Sequence, residues 1–163
     1  MKCLATSETS NVLEQYRLPE LERLKNGDSE WLEARPIQIG EDSGKRSYCS
    51  NYLAEQASAP TLVQVFDTGV WPSSCNVHLA SIVWSRLGLR IGWSEEPVIL
   101  FEPKETQALG ALLGLAFVSC WAVIVIEVEL KRGFIMDHDG GLVGFAHDST
   151  NLEQVSKLLE SLE

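Results

Sequence analysis

The chain has 163 residues, of which 45% are hydrophobic and 22% are charged, and its net charge is −10. This composition excludes wholesale disorder, and the length suffices for a single domain, residues 1–163, that closes a hydrophobic core without disulfides or a metal. The negative charge repels nucleic acid phosphates and anionic membrane surfaces, so neither is an expected partner, and it attracts basic proteins.

Cysteine spacing and the start of the chain bear on cofactors and location. No pair has the C-x-x-C spacing of zinc ribbons and redox dithiols; the cysteines are Cys3, Cys49, Cys75 and Cys120. The first residues contain one lysine but no apolar block follows them, so they do not resemble a secretory signal. We therefore expect a cytoplasmic protein with reduced thiols and no cofactor.

The first part of the chain is predicted to be helical. Residues 1–10 are small and polar, and they are expected to form a frayed lead-in. From Val12 to Leu24 the apolar side chains recur at intervals of three and four, which is typical of an amphipathic helix. Pro19 either kinks this helix or starts a second one.

The middle of the chain alternates between helical and extended patterns. Residues 31–40 are expected to contain a short helical turn and then an extended piece, and residues 48–57 are expected to be helical. Thr61 to Phe66 has the composition of a buried strand. A helix follows from Val77, after a serine that serves as its N-cap, and it ends at Gly88.

The longest apolar run, Ala108 to Ile126, contains no charged residue over nineteen positions. That length would allow a membrane span, but its two halves differ in composition. The first half belongs to a helix candidate, residues 104–118, and the second to a β-branched strand, residues 123–128. We therefore predict a bend at Ser119-Cys120, with a buried helix before it and a central strand after it.

The C-terminal part predicts a hairpin and a closing helix. Phe134 to Asp139 and Leu142 to His147 are the expected strands, and Gly140-Gly141 supplies the positive φ of a type I′ turn. The final helix covers residues 151–162, with capping-box spacing starting at Thr150.

This order of elements predicts the fold class. Helices come first, strands such as Val98 to Phe101 are then interleaved with helices, and antiparallel strands and a helix close the chain. We predict an α/β (α+β) single-domain sandwich with a mixed, mostly antiparallel sheet and packed helices. The purely apolar strand at residues 123–126 favours burial of both of its faces.

Two His-Asp pairs, His138-Asp139 and His147-Asp148, look at first like the halves of a metal or acid/base site. With the glycine pair as the turn, His147 lies opposite Phe134. The histidines then stand four residues apart along one face, about 13 Å at the usual strand rise. One metal ion cannot bind both, so no metal site is predicted here.

Cys75 and His78 are three residues apart on a predicted helix, which puts them on one face. A thiol in the first helical turn also feels the field of the helix N-terminus, which favours thiolate. A cysteine hydrolase or transferase could use such a pair. However, the sequence shows no third group to orient the imidazole and no nucleophile signature around the cysteine.

Acidic and tryptophan side chains are the candidates for partner binding. Trp31 and Trp93 stand beside acidic stretches and are expected to be exposed, whereas Trp71 is expected in the core. Carboxylates near turns would face a basic protein. The predicted partner-binding residues are Glu95, Glu96, Trp93, Asp137, Asp139 and Asp148.

Two stretches carry a resemblance to known proteins. They are Trp71-Pro72-Ser73-Ser74 with Asn76 and His78-Leu79, and Cys120-Trp121 through the hairpin to His147-Asp148. Here the chain resembles small acidic bacterial proteins of unassigned role, some of which are similar to immunity proteins that accompany toxins. The resemblance implies a cytoplasmic binding protein and assigns no catalytic residue.

Three hypotheses follow from the sequence. The first is a non-enzymatic protein-binding module, including an immunity-type inhibitor, that presents an acidic face to a basic toxin or another basic partner. The second is a thiol-dependent enzyme that uses Cys75 and His78. The third is a protein anchored in a membrane through residues 108–126.

Overall fold

The computed structural model describes residues 1–27, 30–40, 42–68, 74–86, 88 and 96–163, with the backbone alone at 74–78. The helices are α1 (Thr6–Tyr16), α2 (Leu21–Lys25), α3 (Ser43–Gln56), α4 (Ser74–Arg86), α5 (Thr106–Val118) and α6 (Ser149–Glu160), with a 3-10 turn at Pro103–Glu105. The strands are β1 (Lys2–Leu4), β2 (Leu32–Glu33), β3 (Ile37–Gln38), β4 (Thr61–Phe66), β5 (Val98–Phe101), β6 (Ala122–Glu127), β7 (Arg132–Met136) and β8 (Gly141–Ala146).

The strands form one sheet in the order β1-β5-β4-β6-β7-β8-β2, and β3 also pairs with β8. Every pairing among the described residues is antiparallel. The predicted α+β class and the mostly antiparallel sheet are therefore confirmed. Strands β4 and β5 begin and end at the predicted residues, because their β-branched and aromatic side chains suit a pleated, buried surface.

Helices cover both faces of the sheet, so the central strand β6 is buried on both sides. Val123 and Val125 point into a core that is shared with α3, α4, α5 and α6. Ile124 and Ile126 point to the other face, where α1, α2 and Trp31 pack. The prediction from the unbroken apolar composition of this strand is confirmed.

The nineteen-residue uncharged run divides into α5 and β6 at the predicted bend. Cys120 has a φ of 56°, in the left-handed region. The backbone N–H of Trp121 donates to the Ala116 carbonyl at 2.9 Å, and that of Cys120 donates to Phe117 at 3.4 Å. This is the Schellman ending of a helix. Across the described residues, no helix has the length and apolarity to cross a membrane.

A buried arginine fixes the end of α5. The side chain of Arg46, from the first turns of α3, is 4% exposed. Its Nη1 donates to the Phe117 carbonyl at 2.6 Å and to the Cys120 sulfur at 3.0 Å, and its Nε donates to Gly40 at 2.7 Å. A cation at a helix C-terminus is favoured by the helix dipole, so the guanidinium stabilises the bend electrostatically and by hydrogen bonding.

The N-terminal segment differs from the prediction. Lys2–Leu4 is not frayed, because it pairs with β5 as the edge strand β1, and α1 begins directly after it at Thr6. The helical pattern predicted to Leu24 forms two helices, as the second alternative for Pro19 predicted, but Pro19 is not the first residue of the second helix. Arg17 ends α1 in the left-handed conformation, and α2 begins two residues after Pro19.

Trp31 is buried rather than exposed, at 7% of its surface, and the helical turn expected near it is absent from the described residues 30–40. Its ring packs edge-on against Phe145 and His147. The acidic neighbours suggested exposure, but the second face of the sheet needs a large apolar side chain to cover β8.

The hairpin register differs from the prediction by three residues. Met136 pairs with Leu142, and the loop is His138-Asp139-Gly140, in which only Gly140 has a positive φ. Asp137 closes the loop, since its backbone N–H donates to Gly141 at 2.9 Å and its carboxylate accepts from the Gly141 N–H at 2.7 Å. This is a type I turn followed by a bulge, not the predicted type I′ turn. As a result, His147 lies opposite Lys131, not Phe134.

Gly144 on β8 gives a test of how closely α6 packs on the sheet. A Cβ at this position would lie 2.2 Å from Val155 Cγ1. We expect Gly144→Ala to lower the free energy of unfolding by about 2 kcal/mol, measured by denaturant titration. In a Val155→Ala background we expect the same change to lower the free energy of unfolding by about 1 kcal/mol less, because the clashing methyl group is absent. An equal cost in both backgrounds would contradict this packing.

Candidate functional site

Of the predicted partner-binding residues, Trp93 and Glu95 lie outside the described residues, as does Trp71. Glu96, Asp137 and Asp139 lie at one end of the sheet. Asp148 lies beyond the other end of β8, so the structure does not bring it to the same surface.

The sheet geometry brings several carboxylates to one end. The register places Phe66 and Met136, the last residues of β4 and β7, on either side of the start of β6. The next residues, Asp67 and Asp137, therefore leave the sheet two strand spacings apart, about 10 Å. We call this surface the acidic end and define it by Asp42, Asp67, Glu96, Asp137 and Asp139.

Two loops bring the remaining members to the acidic end. Asp42 precedes α3 and caps it by accepting from the Lys45 N–H at 2.6 Å. Its loop is tied to the hairpin, because the backbone N–H of Ile39 donates to Gly140 at 3.0 Å. Glu96 stands two residues before β5. Sequence reasoning missed Asp67, which directly follows a predicted strand, and Asp42, because its helix was predicted to begin at residue 48 and begins at Ser43.

The carboxylates of the acidic end differ in their partners. Glu96 accepts from Lys25 at 2.5 Å and from Gln64 at 2.8 Å. Asp137 closes the hairpin loop, while the exposed Asp139 is 3.6 Å from the ring of His138. Asp137 and Asp139 therefore face solvent from a loop that is closed by backbone and side-chain hydrogen bonds.

Asp148 caps the N-terminus of α6. Its carboxylate accepts from the backbone N–H of Asn151 at 2.9 Å and from that side chain at 2.7 Å. These hydrogen bonds favour the charged form, so the pKa of Asp148 is lower than its ordinary value. The predicted capping box at Thr150 is wrong, because Asp148 is the N-cap.

The helix predicted to carry Cys75 and His78 is confirmed as α4, Ser74–Arg86. Both side chains lie outside the described part of the structure. The thiol-enzyme hypothesis therefore stays a prediction. Within the described ranges, no group of three or more His, Cys, Asp and Glu side chains could hold a metal ion.

A second surface feature is a cleft between α3, α6 and the sheet, with a volume of about 410 Å³. We call it the α3–α6 cleft. Its floor is apolar, and its mouth is polar. The floor residues are Leu53, Leu109, Leu113, Val125, Phe134 and Val155, and the mouth residues include Tyr52, Gln56, Arg132, Gln154 and Lys157.

A mostly buried ion pair lies at the wall of the α3–α6 cleft. Arg132 Nε donates to Glu127 Oε1 at 2.7 Å, and the two side chains are 14% and 12% exposed. The other oxygen of Glu127 accepts from the backbone N–H groups of Ser58 and Ala59 at 2.8 and 3.2 Å. Arg132 Nη1 also donates to Gln154 of α6. The pair therefore joins the end of α3 to the sheet and α6.

Sequence reasoning missed this pair. Glu127 alternates with apolar neighbours, a pattern that favours exposure, but its side chain is mostly buried. The sequence could have indicated this pair, because Glu127 and Arg132 stand at the two ends of a short connection. In the structure they are paired on the adjacent strands β6 and β7. Opposite charges that are directly paired across antiparallel strands attract one another.

Comparisons of the chain with protein-family models, curated proteins and solved structures give no match. Function is therefore inferred from the geometry of these two surfaces.

The lowered pKa of Asp148 makes a pH-dependent prediction. Its carboxylate titrates below the unfolded value of about 3.9, so its contribution to stability is present above that pH and is lost as the pH falls through the lowered pKa. Asparagine also caps helices but does not titrate. We expect the stability of the wild type to fall relative to Asp148→Asn when denaturant titrations are repeated from about pH 6 to about pH 2. A constant difference between the two proteins across this range would show that Asp148 does not act in this way.

Proposed function

We propose that the protein is a non-enzymatic binding module that recognises a basic partner protein through the acidic end. A narrower form of the proposal is an immunity-type inhibitor that binds a basic toxin domain in the cytoplasm. The observation that carries it is the convergence of five carboxylates, from separate parts of the chain, on one end of the sheet.

The charge balance of this surface supports the proposal. The described lysines near these carboxylates are Lys25, which pairs with Glu96, and Lys45 on α3. Arg46 is at the same end but is buried, with its donors directed at carbonyls and a sulfur. The exposed carboxylates of the acidic end therefore outnumber these lysines, and such a surface raises encounter rates with basic proteins.

Preorganisation of the surface also supports the proposal. Asp137 is held by its bonds to Gly141, and Asp42 by its bond to the start of α3. A partner that binds such a surface does not have to order these loops, and binding therefore loses less conformational entropy.

The thiol-dependent enzyme is the alternative. It depends on Cys75 and His78, and no described contact favours it over the binding module. A thiol on Cys75 whose reaction with iodoacetamide follows an apparent pKa near the free value of about 8.5 would exclude it.

The binding proposal predicts a charge-dependent complex. The partner to test is the product of the reading frame immediately upstream, because a toxin gene is expected to lie beside its immunity gene. We expect the double variant Asp67→Asn, Asp139→Asn to weaken the complex about fivefold by calorimetry, since two exposed ion-pair partners are lost. Asparagine tolerates the left-handed φ of 51° at residue 67, so the fold is expected to persist.

The matched control removes two exposed carboxylates at the opposite end of the sheet. Glu55 lies in the last turn of α3 and Glu129 follows β6, so Glu55→Gln, Glu129→Gln changes the net charge equally. It should leave the affinity unchanged. The absence of a complex, an affinity that is independent of ionic strength, or equal losses in both double variants would each contradict the proposal.

A further inference from the structure

The α3–α6 cleft is separate from the acidic end. Its wall is formed where β6 ends and β7 begins, whereas the acidic end lies where β6 begins and β7 ends. The volume of about 410 Å³ falls within the range of small-molecule sites. The floor is formed by apolar side chains of the principal core.

We propose that the α3–α6 cleft binds a small organic acid, with an apolar body on the floor and a carboxylate at Arg132 and Lys157. The charges of the lining favour an anionic ligand. The described lining residues include two cations, Arg132 and Lys157, and one carboxylate, Glu127. The cations outnumber the carboxylate within the lining, although Glu153 pairs with Lys157 from outside it, and this excess favours an anion at this position.

The carboxylate of Glu127 already has its partners within the protein. Its two oxygens accept from Arg132 and from three donors of the Ser58–Ala59 segment. The carboxylate is therefore neutralised and hydrogen-bonded within the protein. It does not present an acceptor that would select a cationic ligand.

Hydrogen-bond donors are available at the mouth of the cleft. A guanidinium has five N–H donors, and the bonds of Arg132 to Glu127 and Gln154 use two of them. The other donors can bind a carboxylate with the fork geometry that arginine prefers. The Glu127 carboxylate and the Gln154 amide fix the plane of this guanidinium before a ligand arrives.

Lys157 supplies the second cation, and little free energy is lost when it turns towards a ligand. Its ammonium group pairs with Glu153 at 2.7 Å, in an exposed pair one helical turn apart on α6. Such exposed pairs contribute little to stability, so the lysine can turn towards a ligand. The apolar body of the ligand then covers floor residues such as Val125 and Phe134, and their burial drives binding.

The test uses octanoate as the probe, on the full chain, with backbone amide NMR. We expect saturable chemical-shift changes at cleft residues such as Val125, Gly133 and Val155. Octylammonium has the same tail and the opposite charge, and should bind at least about tenfold more weakly. Butyrate has the same headgroup and a shorter tail, and should also bind more weakly, because it buries less apolar surface.

The matched variants separate a specific headgroup contact from a general charge effect. Lys157→Gln should weaken octanoate binding about threefold to fivefold, since one exposed ionic contact is lost. Lys104→Gln removes an exposed lysine of the 3-10 turn, outside the cleft lining, and should leave the affinity unchanged. Both residues are exposed, so neither change is expected to disturb folding.

Three results would overturn the proposal. The first is the absence of saturable shifts at the cleft residues at millimolar octanoate. The second is octylammonium binding as tightly as octanoate. The third is an equal effect of the two lysine variants, which would indicate general electrostatic attraction instead of a site.

Discussion

The bend between α5 and β6 is the constraint on which the rest of the structure depends. The uncharged run must turn sharply at Ser119-Cys120 so that its helix can cover the sheet and its strand can occupy the centre of it. The Schellman ending provides hydrogen-bond donors to two carbonyls of the last turn. Arg46 donates a second hydrogen bond to one of them, the Phe117 carbonyl. Burying an arginine is costly unless its donors are used, and here they are directed at the negative end of a helix.

This arrangement also positions the acidic end. Arg46 bonds to Gly40, and Gly40 precedes the loop that carries Asp42. A Cβ on Gly140 would lie 3.0 Å from the Arg46 guanidinium, so the hairpin loop with Asp137 and Asp139 packs against the same side chain. One buried cation therefore holds the helix end and two acidic loops together. The opposite end of the sheet is held by the Glu127–Arg132 pair, which in turn shapes the α3–α6 cleft.

Much of the fold was predictable from composition. The strands Thr61–Phe66 and Val98–Phe101 are dominated by residues that favour extended, buried backbone, and their limits were predicted correctly. The hairpin register was not predicted correctly, because the Asp137 carboxylate accepts from the Gly141 N–H and stabilises a different turn type. The edge strand Lys2–Leu4 has no strong pattern of its own and depends on its pairing with β5.

The sites were less predictable than the fold. Carboxylates near turns pointed to the acidic end, but Asp148 has the same local sequence character and instead caps α6. The α3–α6 cleft depends on residues distant in sequence, from Tyr52 to Leu158, and only the packing of α6 on the sheet brings them together. Local sequence patterns do not predict the proximity of these residues, because it arises from the order of the strands in the sheet.

Position 120 allows the most direct test of the bend. Both Cys120→Gly and Cys120→Ala remove the sulfur contact with Arg46, so their difference reports the backbone conformation alone. In the left-handed conformation, glycine should be more stable than alanine by about 1 kcal/mol in denaturant titrations. In one unbroken helix the sign would reverse, because glycine is the poorer helix former by about 1 kcal/mol. A more stable glycine variant is the result we predict, and a more stable alanine variant would contradict the account.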